Sequence, residues 1–112
     1  LQYNGMITVR KVFEKDGKSV YQAYDDKILG EVVARGNTIL SEQTAPLDRR
    51  GLYRDFMLRS VVFLLSQQYD EVAVAFKDEY FYTLGFEESA DGMRQKSELI
   101  VFPSACGGHE KK

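Results

Sequence analysis

Three turn signals divide the first half of this chain at intervals of about ten residues: Asp16-Gly17, Asp25-Asp26-Lys27 and Gly36-Asn37. The stretches between them are too short for a helix of ordinary length and long enough for a strand. Their composition agrees. Residues 6–13 are β-branched and partly alternating, and they predict a first strand. Residues 19–24 predict a second, with Tyr21 and Ala23 on one face and Val20, Gln22 and Tyr24 on the other. Residues 28–35 predict a third and residues 38–43 a fourth, which Ala45-Pro46 ends. A segment so punctuated folds as an antiparallel meander.

The second half has a different period. From Tyr53 onward, Phe56, Met57, Ser60, Val61, Leu64 and Leu65 recur at helical spacing. Leu58, Val62 and Phe63 widen that stripe, so the helix is mostly buried, with Arg54, Asp55, Arg59, Gln67 and Gln68 on its wetter side. Residues 71–76 then read as a short buried strand. A strand following a buried helix makes a crossover, so this fifth strand should lie parallel to the fourth. Asp78 can cap a second, short helix that Gly85 ends in the left-handed conformation. Residues 87–92 read as a polar turn. Residues 93–102 read as a closing strand or two, with 98–102 the stronger part.

The chain of 112 residues is expected to be one domain with a single core, mixed α/β with a mainly antiparallel sheet. Met6 is a candidate start with residues 1–5 as a leader, and residues 107–112 form a polar tail expected to fray. The net charge of −2 gives no overall attraction to nucleic acid or anionic membrane, so neither is an expected partner. No apolar run approaches the ~20 residues that cross a bilayer. The single cysteine, Cys106, leaves no intrachain disulfide and favours a reducing, cytoplasmic setting. The one histidine, His109, lies in the tail, and no metal cluster is legible.

The chemistry points to the turn before the long helix. Asp48-Arg49-Arg50-Gly51-Leu52-Tyr53-Arg54 sets three arginines and a glycine at a helix start. Such an end has backbone N–H groups without helical partners and a partial positive charge, which suits an anion such as phosphate.

These elements in this order resemble the GNAT family of N-acetyltransferases. Residues 23–30 look like that family's central hairpin, and 48–53 occupy its pyrophosphate loop. Residues 71–76 look like its fifth strand, and 80–88 like its closing helix with Leu84-Gly85-Phe86. The resemblance implies a GNAT-like fold with one long and one short helix. It also implies an acyl-CoA-dependent enzyme that transfers an acyl group, acetyl before any other, from acetyl-CoA directly to an amine. Gly51, Leu52, Tyr53 and Arg54 would hold the pyrophosphate through their backbone, aided by Arg49 and Arg50. The backbone at Ser41, Glu42 and Gln43 would hold the pantetheine arm where the fourth and fifth strands splay. Glu42 would be the base, with Glu31 a weaker candidate, and Tyr82 or Tyr80 the acid.

Three features depart from the family. Its loop begins with Arg or Gln and ends with Gly or Ala, where this chain has Asp48 and Tyr53. The position of its closing-helix tyrosine aligns with Phe81, which has no proton to donate. Its two acceptor-covering helices between the first and second strands are replaced by about five turn residues, 14–18. An open front of that kind suggests closure by a second subunit, a homodimer. The same departures support an alternative expectation, a non-catalytic acyl-CoA sensor or interaction module on this fold.

Overall fold

The computed structural model describes residues 2–3, 7–44 and 51–103. Met6, Asp48, Arg49, Arg50, Cys106 and His109 lie outside the described residues. Among the described residues eight strands form one sheet: β1 (Gln2–Tyr3), β2 (Ile7–Lys15), β3 (Lys18–Tyr24), β4 (Ile28–Arg35), β5 (Thr38–Thr44), β6 (Glu71–Val74), β7 (Glu87–Glu88) and β8 (Met93–Lys96). Their order across the sheet is β1-β2-β3-β4-β5-β6-β8-β7. All neighbours are antiparallel except β5 and β6, which are parallel. Because β1 precedes the meander, the strands expected as fourth and fifth are β5 and β6.

The meander follows its turn residues. Asp16 and Gly17 both adopt positive φ, 54° and 84°, the two-residue hairpin turn whose twist matches that of the flanking strands. This short turn lets β2 run to Lys15 and β3 begin at Lys18, leaving no helix between them.

The single α-helix among the described residues, α1 (Leu52–Ser66), connects β5 to β6 and packs on one face of the sheet. Phe56, Met57, Leu58, Ser60, Val61, Val62 and Leu65 are buried on it, while Phe63 is exposed. They meet Val9, Tyr21, Ala23, Val32, Ala34 and Ile39 in one core. Tyr21 and Ala23 thus take the inward face of their strand, as the alternation requires. Gly30 marks how closely the layers approach: a Cβ there would lie 2.8 Å from Met57 Sδ and 2.7 Å from the Gln43 carbonyl.

After β6 comes a 3₁₀ helix, Glu79–Leu84. Asp78 caps it by accepting the Tyr80 N–H at 2.9 Å, and Gly85 ends it at φ 88°. The last stretch differs from the pattern expected. Residues 87–94 are a hairpin in which Glu87–Glu88 pairs with Arg94 and Met93. The apolar run 98–102 is not a strand: Ser97–Leu99 is a 3₁₀ turn, and Ile100 tucks into the core at 8% exposure. The Val101 N–H donates to the Leu84 carbonyl at 2.8 Å, so this segment straps the 3₁₀ helix instead of extending the sheet. No described helix is long and apolar enough to cross a membrane.

Candidate functional site

The parallel pairing of β5 with β6 is brief. It comprises Thr38 with Ala73 and Ile39 with Val74, held by the Ala73 N–H to Asn37 carbonyl bond (3.0 Å) and the Ala75 N–H to Ile39 carbonyl bond (2.8 Å). Beyond Ile39, β5 continues to Thr44 paired only with β4, whereas β6 ends at Val74. On the β6 side, Ser41, Glu42 and Gln43 of β5 therefore have no strand pairing among the described residues. Register puts Glu42 opposite Val32 on the face toward α1, and Ser41 and Gln43 on the other face.

The start of α1 reaches this stretch of β5, since Arg54 in its first turn bonds Glu42. Gly51 stands before the helix at φ 68°, and its carbonyl accepts the first helical bond, from the Asp55 N–H, at 2.8 Å. A residue with a Cβ is strained at that φ, which accounts for the glycine. Leu52 is exposed and Tyr53 half-buried, packed against the core.

Arg54 ties β5 to the segment after β6. Its Nε donates to Glu42 on β5 at 3.0 Å, and its Nη2 donates to Asp78, beyond the end of β6, at 2.7 Å. The three side chains keep 26%, 16% and 33% exposure, so the bridge is partly desolvated and stronger than a surface pair. Burial lowers the guanidinium pKa, but Glu42 and Asp78 outweigh it and the net shift is upward. The Arg54 guanidinium also lies 5.5 Å from the centre of the Tyr80 ring.

The three aromatics of the 3₁₀ helix have distinct environments. Tyr80 donates its hydroxyl to Asp55 on α1 at 2.9 Å, and Asp55 in turn accepts from Arg59 at 3.0 Å. Burial first, then the charge of Asp55 and the hydrogen bond to it, raise the Tyr80 pKa well above the ordinary phenol value. Phe81 is fully buried between Phe76, Tyr80 and Phe86, with ring centres 5.3–6.0 Å apart. Tyr82 is 48% exposed and bonded to Glu88, whose carboxylate raises the Tyr82 pKa.

The structure therefore brings Glu42, Arg54 and Tyr80 into one cluster and leaves Tyr82 on the outside. Glu31 lies on the sheet face opposite to Glu42, since it pairs with Gln43 and Gln22. Sequence reasoning assigned Asp78 only a capping role and missed that its second oxygen holds Arg54. The Asp55/Arg59 pair at i, i+4 was the one part of this network that spacing could reveal. An open groove of about 750 Å³ lies at the far end of α1 between Phe63, Gln67, Tyr69, Ser97 and Phe102. None of the candidate catalytic side chains lines it. No group of His, Cys, Asp and Glu suited to hold a metal stands among the described residues. No protein-family model, no curated protein and no solved structure matches the chain.

Proposed function

We propose that this domain is a GNAT-like, acyl-CoA-dependent N-acyltransferase, and that acetyl transfer to an amine is its activity. The observation that carries the reading is the end of the β5–β6 pairing at Ile39 and Val74, with the first turn of α1 joined to β5 just beyond it by the Arg54–Glu42 bond. A parallel pair that ends this early leaves backbone N–H and C=O groups on β5 without a strand partner on that side. A pantetheine arm, with its two amides, can supply the missing bonds at Ser41, Glu42 and Gln43. The pyrophosphate would then meet the backbone of Gly51, Leu52, Tyr53 and Arg54 at the positive end of the helix, with Arg49 and Arg50 adding charge. Glu42 is the carboxylate in reach of an amine entering at this junction. Of the two phenols Tyr80 is the one beside Arg54; to protonate a departing thiolate its hydroxyl would have to leave Asp55.

A second reading, binding without turnover, has its own support. Glu42 is held by Arg54, the Tyr80 hydroxyl by Asp55, and the position of the family's acid is the buried Phe81. Calorimetry with acetyl-CoA, followed by thiol release in the presence of a panel of primary amines, tests both. Binding with amine-dependent thiol release is expected. Binding without release would select the second reading, and no heat at millimolar acetyl-CoA would defeat both.

A further inference from the structure

One face of the sheet lies under α1, as the contact of Gly30 with Met57 and the Glu42–Arg54 pair show. The opposite face of β2, β3 and β4 carries two cross-strand rows. In the first, Arg10, Gln22 and Glu31 stand directly opposite one another. In the next, Phe13, Val20 and Val33 do so. None of these six residues is buried, and Phe13 is 50% exposed. An apolar row open across three strands is costly to leave in water, and a charged row beside it fixes what can cover it.

We infer that this face binds a second copy of the chain, related by a two-fold axis running along β3. The charges carry the inference. Arg10 on β2 and Glu31 on β4 flank Gln22 at equal distance, one strand spacing to either side. Rotation about β3 lays β2 of one copy over β4 of the other. Each Arg10 then faces Glu31 of the partner subunit, twice over, while Phe13 meets the partner's Val33 and Val20 meets itself on the axis. The alternative in-plane axis, perpendicular to the strands, would set Arg10 against Arg10. Within its own chain Arg10 has no carboxylate partner among the described residues; its guanidinium rests 5.4 Å above Tyr24. Glu31 accepts from Gln22 at 2.8 Å, which holds its carboxylate in the row. The arrangement is isologous, with the strands of the two sheets aligned to within ~30°. A patch reaching from β2 to β5 covers about 500 Å² per copy, at the low end for specific association, so dimerisation is concentration-dependent.

Sedimentation equilibrium of the full chain tests this between about 10 µM and 1 mM, the range in which contacts of this size equilibrate. A shift from monomer to dimer mass is expected. Arg10→Glu alone and Glu31→Arg alone should each weaken dimerisation about tenfold or more, because like charges then face each other. Mixing the two single variants should restore the dimer. In the mixed pair one copy carries only acidic groups at the two positions and the other only basic ones, so both contacts are again between opposite charges. A monomer mass throughout the range, single variants that dimerise like the parent, or a mixture that stays monomeric would each overturn the assignment.

Discussion

The sheet is held in two different ways on the two sides of β5. From β2 to β5 the strands pair along nearly their whole length, and the core beneath them is apolar and closed. From β5 to β6 the backbone pairs at only two positions, and the connection then passes to side chains, with Arg54 joining Glu42 to Asp78. Backbone ladders resist opening because every broken bond leaves a polar group unmet. An ion-paired arginine can exchange partners, since another anion can take the place of either carboxylate. The contrast is why the proposed ligand is expected at the β5–β6 junction, where side chains take over from a ladder.

Substitutions break the comparison in order of size. Val32→Asp, at a fully buried position of the meander, should abolish cooperative urea unfolding, because it buries a second carboxylate opposite Glu42, which already occupies Arg54. Arg54→Ala should leave the fold intact and lower its stability by about 1–3 kcal/mol, less than for a fully buried pair because all three side chains keep some contact with water. Adding Glu42→Gln and Asp78→Asn to Arg54→Ala should recover part of that loss, since no unpaired carboxylate then remains. Failure to recover would mean that the bridge acts through packing and not through charge.

Tyr80 gives a smaller, pH-dependent effect. Its pKa is raised in the folded chain, so the unfolded chain loses the proton first. The stabilisation is therefore complete below the ordinary phenol pKa of about 10 and declines as pH rises above it, at about 1.4 kcal/mol per pH unit for this one group. Tyr80→Phe should remove that component of the alkaline limb in urea titrations, and an unchanged limb would contradict the assignment. Tyr82→Phe should be the mildest change, with no detectable shift of the unfolding midpoint, because the side chain is half exposed and touches only Glu88 among the described carboxylates.

How much of this was legible in the sequence follows from the range of the interactions. The meander was, because Asp16-Gly17 and Gly36-Asn37 act on their own backbone. So was α1, whose stripe from Phe56 to Leu65 has an unmistakable period, and so were Asp78 as a cap and Gly85 as a terminator. Residues 98–102 misled: an apolar, β-branched run reads as strand, but Ile100 finds its burial in a 3₁₀ strap and no strand partner is needed. The Arg54 bridge was out of reach for another reason. Its partners lie 12 and 24 residues away in the chain, and no periodicity connects them. Arg54 read as part of an anion-binding turn, whereas its side chain is directed to two carboxylates across the junction.

The central claim, that the junction between β5 and β6 receives an acyl-CoA, is tested most directly by titrating the ¹⁵N-labelled chain with acetyl-CoA and following its backbone amide shifts. The account predicts saturating shifts confined to Ile39, Ser41, Glu42, Gln43, the turn at Gly51 to Arg54, and Ala75 to Tyr80. Shifts centred instead on the groove at Phe63, Tyr69 and Phe102, or no shifts at millimolar ligand, would contradict it.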